Sequence, residues 1–308
     1  MTSALWAEHV SRIVRVLVLL YVRRYVDMLN HKQFAEFDTR SLLTAIFGGA
    51  GSLRTTKEDA LRKLGLQAVT NGYGTTECSP TISVTNLRDP LEKMLTTAGR
   101  PVPNVEVQVV NREGRLLPVG QVGEICVRGV SVMRGYWEEK ELSAQAIDAA
   151  RWYHTGDLGH LDAEGYLSIE GRLKELVIRG GENIYPAEVE LFLTMHPAIA
   201  DAHVIGVPDT RFGEELCAFV RPRPEWLERL GRVRTTSCGN LDEGLLLPDE
   251  SELSAASLRS YFTGKVSHFK IPRYVLIAET FPLTASGKVK KFVLRDRALQ
   301  LLNLRDTQ

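Results

Sequence analysis

The hydrophobic period of this chain changes part-way along, and that change limits the folds open to it. Leu42 to Gly51 reads Leu-Leu-Thr-Ala-Ile-Phe-Gly-Gly-Ala-Gly, a short apolar run closed by glycines, the pattern of a buried strand and a turn. Thr56 to Leu64 is helical in pattern with a stop at Gly65. Residues 66–72 read as a second strand, running into Tyr73-Gly74-Thr75-Thr76-Glu77. Strand, helix, strand with ligand-type residues at strand ends predicts an α/β sheet. From Val105 the period drops to two. Val105–Val109 and Glu124–Arg128 alternate strictly, with a turn at Asn111-Arg112-Glu113-Gly114 between them, and predict antiparallel β structure.

The last third has a third texture. Gly165–Ile169 and Glu175–Ile178 read as strands around Gly171-Arg172-Leu173-Lys174. Pro186 opens a helix, with Glu188 and Glu190 placed in the first turn to favour the dipole. Residues 202–207 and 215–221 read as strands, and Ser254 caps a helix running to about Ser267. This predicts a small α+β domain. Residues 222–253 lack periodicity and are long for a loop in a compact domain, so they read as an insertion. No internal repeats are visible.

A length of 308 residues suits about two domains. Lys+Arg and Asp+Glu number 38 each, so nothing argues for a nucleic-acid partner or an anionic membrane surface. The apolar run within Arg12–Arg24 is far short of the ~20 residues of a membrane span. It is Arg-rich and poor in acids, which superficially suits a mitochondrial transit peptide; the favoured reading is a buried helix or strand cut off from its neighbours. Cys78, Cys126, Cys217 and Cys238 are scattered without CxxC or Cys/His metal spacing, which fits simple thiols in a reducing compartment.

Four segments carry residues suited to chemistry. In Gly72–Glu77 the glycines let a backbone approach a ring or a phosphate, Thr76 can donate to a phosphate oxygen, and Glu77 can hold a hard cation such as Mg2+. A turn ahead of a helix would carry the same residues. Asp157, in Tyr153-His154-Thr155-Gly156-Asp157, is of the type that accepts hydrogen bonds from ribose hydroxyls; an Asx-type turn is the alternative. Arg179-Gly180-Gly181-Glu182-Asn183-Ile184-Tyr185-Pro186 is a glycine-rich turn feeding a helix. Lys288 follows a Thr284-Ala285-Ser286-Gly287 turn, where a lysine is a mobile point charge able to reach a phosphate. Lys265, Lys270, Lys290 and Lys291 nearby read as solvated charges. Gly48-Gly49-Ala50-Gly51 is not a Walker loop, since no Gly-Lys-Ser/Thr follows.

These motifs, in this order, resemble the adenylate-forming enzymes, the superfamily of acyl-CoA synthetases, luciferases and peptide-synthetase adenylation domains. The resemblance covers roughly residues 25–300. Gly180–Glu188, Val266-Ser267-His268-Phe269-Lys270-Ile271-Pro272 and Arg24–Asn30 are similar to fatty acyl-CoA synthetases, in particular the animal mitochondrial medium-chain acyl-CoA ligases. The resemblance implies a large α/β domain with an antiparallel β region, followed by a small mobile α+β domain. It divides the chain into an atypical segment 1–24, a partial AMP-binding domain 25–171, a hinge 172–174 and a C-terminal domain 175–308. It implies that Gly49, Ala50, Gly51, Tyr73, Gly74 and Thr75 line the nucleotide, that Thr76 contacts the α-phosphate, that Glu77 binds Mg2+, and that Asp157 and Arg172 hold the nucleotide. Gly180, Gly181 and Glu182 would line the pantetheine tunnel, Lys174 would be the hinge residue, and Lys288 would stabilise charge at the α-phosphate.

The implied activity is ATP-dependent ligation of a fatty acid, medium-chain by resemblance, to CoA through an acyl-adenylate, with ATP, Mg2+ and CoA as substrates and cofactor. The implied location is the mitochondrial matrix, with the cytoplasm as alternative. The family's Ser/Thr/Gly-rich phosphate loop, expected upstream of Gly48, has no counterpart here. The expectation is therefore an N-terminally truncated, inactive chain whose sheet around residues 42–77 lacks neighbours, and which acts at most by binding. An aryl or long-chain acid is the other substrate reading.

Overall fold

The computed structural model describes residues 16–21, 28–29, 31, 33–48, 54–224, 226, 245–246, 253–284 and 288–304. The chain divides into two compact units, Met1–Glu170 and Gly171–Gln308.

In the first unit β1 (Val16–Tyr21), β2 (Leu42–Gly48) and β3 (Ala68–Tyr73) pair in parallel. Two-residue strands β4 (Ser83–Val84) and β5 (Arg100–Pro101) extend the sheet antiparallel. β2 therefore has a neighbour on each side. The expectation of a buried helix or strand within residues 12–24, cut off from its neighbours, is corrected over Val16–Tyr21, whose backbone bonds to β2 in a parallel ladder. The crossover from β2 to β3 is α1 (Arg54–Leu64), whose Ala60 and Leu64 face Leu42, Ala45, Phe47 and Val69. Gly65, at φ 69, ends it in the left-handed conformation that favours glycine. The short helix α2 (Leu91–Thr96) adds Leu95 to this core.

A second sheet of the unit has the order β6 (Val105–Val110), β7 (Gly123–Gly129), β8 (Tyr153–Leu161), β9 (Leu167–Arg172). The β6–β7 and β7–β8 pairs are antiparallel, as the strict alternation predicts. Ile125, Val127, Tyr153 and Leu167 pack beneath it with Cys78 and Ile82. Helix α3 (Lys140–Ala146) precedes β8.

The second unit is built on β12 (Ile199–Asp209) and β13 (Gly213–Pro222), a long antiparallel hairpin. Its sheet also holds β10 (Val177–Arg179), β11 (Glu182–Ile184), the two-residue β14 (Leu245–Leu246) and β15 (Tyr274–Ile277), which runs parallel to β13. Leu216, Ala218 and Val220 of β13 point into one core, with Val189 and Leu193 of α4 (Pro186–Thr194) and Leu258 and Phe262 of α5 (Ala255–Phe262). Cys217 and Phe219 point the other way, to Leu294 and Ala298 of α6 (Lys291–Leu301). The period of two thus feeds two cores at once.

Pro186 opens α4 in its first turn, and the Ser254 side chain caps α5 by accepting the Ser257 N–H at 3.1 Å. The structure differs from the sequence reading in several places. α5 ends at Phe262 rather than near Ser267, because the backbone leaves helical geometry at Thr263 (φ −57, ψ 127) and Gly264 takes φ 79. Leu173–Glu175 is a 3-10 turn, so the strand begins at Val177. Glu190 lies beyond the first turn of α4 and accepts the Val204 N–H at 2.8 Å.

Candidate functional site

In the first unit the site grows from the end of β3. A Cβ on Gly74 would run into the Pro80 carbonyl, so only glycine allows the backbone to fold back there. Thr75 stays extended ahead of a single 3-10 turn, Thr76–Cys78, which closes on Ser79 at φ 56. Thr76 is exposed and Glu77 half-buried. Tyr136 donates its hydroxyl to Glu77 Oε1 at 3.1 Å, and the Glu77 carbonyl accepts the Met133 N–H at 2.7 Å.

The 153–157 motif lies within β8. His154 to Leu158 runs opposite Cys126 to Glu124 of β7, four steps against two. The surplus is taken up as an irregularity at Thr155–Gly156, with Gly156 at φ 68. Asp157 is turned inward and is 7% exposed. Its carboxylate accepts the Tyr73 hydroxyl at 2.8 Å, joining motifs 84 residues apart. Burial first, and the Asp157 charge second, push the Tyr73 hydroxyl far above its usual pKa, so it stays a donor. The turn is braced on the other side: Glu124 Oε1 accepts the Gly156 N–H at 3.1 Å, and Thr155 Oγ1 donates to the Ile125 carbonyl at 2.7 Å.

In the second unit Arg172 closes β9 and Lys174 sits in the following 3-10 turn, both exposed. Gly180 and Gly181, at φ 59 and φ 90, form the two-residue turn of the β10–β11 hairpin, where Arg179 pairs with Glu182. Positive φ at both central residues is the geometry glycine serves best in a hairpin. Lys288 is exposed, with its N–H donated to Thr284 Oγ1 at 3.0 Å and its carbonyl accepting the Thr284 N–H at 2.8 Å. Gly49, Ala50 and Gly51, residues 285–287, and Cys238 lie outside the described residues, as does most of 222–253. Cys78, Cys126 and Cys217 are buried free thiols, and burial, with the Glu124 and Asp148 charges, pushes Cys126 up to about 12.

The reading of the flanking lysines as solvated is corrected at two of them. Lys291 Nζ lies 2.8 Å from both Glu175 Oε2 and Glu190 Oε1, with a side chain 19% exposed. Lys270 Nζ pairs with Glu188 Oε1 at 2.6 Å, 22% exposed. Both corrections have one cause: folding brings the helix bearing Glu188 and Glu190 onto segments some 80 to 100 residues further along, which sequence spacing does not reveal. Tyr136 and Glu124 were likewise invisible in the sequence as partners of Glu77 and Gly156.

Two family models match the chain. Residues 4–137 match the AMP-binding enzyme family, and residues 188–288 match the AMP-binding enzyme C-terminal domain. This chain belongs to the AMP-binding enzymes. The first match begins at residue 4, upstream of residue 25 where the sequence resemblance starts. Among relatives of this AMP-binding chain, a Bacillus subtilis (strain 168) protein named as an acyl-CoA synthetase, YngI, is 37% identical over 92% of the chain and 47% of its own length. The mitochondrial medium-chain acyl-CoA ligase ACSF2 of Bos taurus is 38% identical over 91% of the chain and 42% of its own length. The chain therefore spans about half the length of the curated relatives it matches. Among solved structures, the ATP-bound RpMatB-BxBclM chimera B1 matches with TM-score 0.81 and 28% identity, over 97% of this chain and 54% of that one. The anthranilate CoA ligase AuaEII in complex with anthranoyl-AMP matches with TM-score 0.81 and 26% identity, over 98% and 54%. The fold is that of the large and C-terminal domains of the adenylate-forming enzymes.

Proposed function

We propose that this chain carries nucleotide- and thiol-handling parts of an acyl-CoA ligase. The reaction joins a medium-chain fatty acid to CoA at the expense of ATP. The carboxylate attacks the α-phosphorus, pyrophosphate leaves, and the mixed anhydride with AMP makes the acyl carbon attackable. The CoA thiol then attacks that carbon, loses its proton, and AMP departs.

In this reading Asp157 accepts hydrogen bonds from the ribose hydroxyls, with Tyr73, Gly74, Thr75 and the Gly49–Gly51 segment beside the base. The Thr76 hydroxyl donates to the α-phosphate, and Arg172 contacts the nucleotide. Lys288 brings an exposed, turn-borne charge to the oxygen developing charge at phosphorus. Gly180 and Gly181 leave room for the narrow pantetheine arm beside Glu182, and Lys174 absorbs the dihedral change of a domain rotation. Glu77 fits Mg2+: it is a hard carboxylate donor, and Tyr136 occupies one of its oxygens. When bound, Mg2+ would neutralise phosphate charge.

The observation that carries this reading is the Tyr73–Asp157 hydrogen bond, which sets the Gly72–Glu77 and Tyr153–Asp157 motifs against each other in one unit. The name of the Bos taurus relative supports a medium-chain acid and a mitochondrial location. The anthranoyl-AMP complex supports an aryl acid. ATP–pyrophosphate exchange by the 308-residue chain, with octanoate against anthranilate, separates the acids. Exchange that falls about 10²–10³-fold in Lys288→Ala supports the adenylation step. AMP binding lost in Asp157→Ala, without exchange, assigns the chain a binding role. Absence of both exchange and nucleotide binding sinks the reading.

A further inference from the structure

We propose that Glu124, Cys126 and His154 form a zinc-binding site on the shared face of β7 and β8. Nothing in the sequence spacing marks these residues as a set; strand pairing assembles them. Glu124 and Cys126 are two apart on β7 and so share a face, and Cys126 is the cross-strand partner of His154. One ligand atom from each lies within 4.8 Å of the other two. His154 Nδ1 is 2.9 Å from Glu124 Oε2 and 3.5 Å from Cys126 Sγ.

These separations match what the cation would impose. Zinc bonds of about 2.0–2.3 Å in a tetrahedron hold ligand atoms roughly 3.3–3.8 Å apart. The sulfur–nitrogen distance is already in that range, and the nitrogen–oxygen distance needs to open by only a few tenths of an ångström. The donors are also fixed from behind. Glu124 Oε1 is held by the Gly156 N–H, which leaves Oε2 for the site. The second ring nitrogen of His154 faces Asp148 Oδ2 at 3.8 Å, and Asp148 is itself anchored by the Trp152 N–H on Oδ1 at 2.8 Å. A carboxylate behind the far nitrogen is how ligating imidazoles are oriented in metal sites.

The donor set selects the ion. Thiolate and imidazole suit zinc, whereas Mg2+ takes oxygen donors. Binding displaces the Cys126 Sγ proton to solvent, no electrons move, and a water completes the tetrahedron. His154 is 30% exposed and Glu124 18%, so the ion can enter from solvent. The same distances also suit a plain hydrogen-bonded brace for the β8 irregularity, and the test separates the two. The inference does not rest on the proposed ligase activity.

Co2+ titration of the full chain is the direct test. One equivalent should produce visible bands and a thiolate-to-cobalt charge-transfer band, and Zn2+ should bleach both. Cys126→Ser should abolish the charge-transfer band, while Cys238→Ser and Cys78→Ser should leave it. His154→Gln, at a partly exposed position, and Glu124→Gln should each weaken Zn2+ binding about tenfold or more by calorimetry, with circular dichroism confirming the fold. Absence of the charge-transfer band in the unaltered chain, or Zn2+ affinity unchanged in both Cys126→Ser and His154→Gln, overturns the proposal and leaves a hydrogen-bonded brace.

Discussion

Lys57 in the first unit and Lys291 in the second are both lysines taken out of water, and they respond in opposite directions. Lys57, on α1, is 3% exposed and donates from Nζ to the Leu95 carbonyl. Burial without a countercharge pushes its pKa down to about 8. Lys291, at the start of α6, is penalised by burial too, but the charges of Glu190 and Glu175 outweigh that penalty and hold its pKa above the usual lysine value. Burial alone does not set the sign of a shift; the partners do. The contrast extends to the candidate site residues within each unit. Asp157 and Tyr73 are locked against each other in the first unit. Arg172, Lys174, Gly180, Gly181, Glu182 and Lys288 are exposed in the second. There, the ion pairs of Lys291 tie the turn carrying Lys174 and Glu175 to α4 and to the helix that begins three residues after Lys288.

The hardest test of this contrast is to remove each ammonium. Lys291→Met leaves two carboxylates facing each other, and should cost the second unit about 2–3 kcal/mol. That lies below the ~3–5 of a fully buried pair, because Glu190 and Glu175 keep 20% and 29% exposure. Hydrogen exchange at β13 amides during denaturant titration reads it out, and an unchanged β13 would refute the ion-pair assignment. Lys57→Met should instead be neutral or stabilise the first unit by about 1–2 kcal/mol at pH 7, read at β3 amides, since it removes a buried charge without a carboxylate partner.

The pH responses should oppose each other as well. Lys57 has a folded pKa near 8 against the ordinary 10.5. The unfolded chain therefore binds more protons between those values, and the first unit should gain stability as pH rises from 8 to 10.5. Lys291 is raised above 10.5, so its contribution is complete below that value and is lost as pH rises through the folded pKa. Amide exchange profiles that move in the same direction in both units, or that are unaltered by the two Met substitutions, would break the comparison.

Smaller effects sharpen it. Tyr73→Phe keeps the ring and removes the hydroxyl on Asp157, and should cost the first unit about 1.5–3 kcal/mol as a hydrogen bond to a charged group. The lower end applies if water reaches the carboxylate, and β13 should be untouched. Ser254→Ala removes one cap from α5 and should cost the second unit about 1 kcal/mol. A shift in thermal unfolding confined to α5 and its neighbours checks it.

Local chemistry was readable in the sequence wherever one residue type answers one backbone demand. Pro186 at a helix start, Ser254 as a cap, Gly65 as a stop and Gly180-Gly181 as a turn are of this kind. The strict alternation from Val105 predicted the antiparallel sheet for the same reason. Strand partners were less legible. An apolar run such as Val16–Tyr21 states that it wants burial, not which strand it will lie beside.

By itself, then, the sequence determined the periods, the turn and cap residues, and the order of motifs that marks an AMP-binding chain. Each follows from interactions over a few residues, whose geometry is fixed by the backbone. Only the tertiary structure decided that Tyr73 meets Asp157, that Tyr136 meets Glu77, that Lys291 is caged by Glu175 and Glu190, and that Glu124, Cys126 and His154 converge. Most of those contacts join residues tens of positions apart. Even Glu124 and Cys126, neighbours on one strand, meet His154 only through cross-strand pairing and the irregularity at Gly156. Their charges and hydrogen bonds are set by which strands and helices pack together, a property that no window of sequence carries.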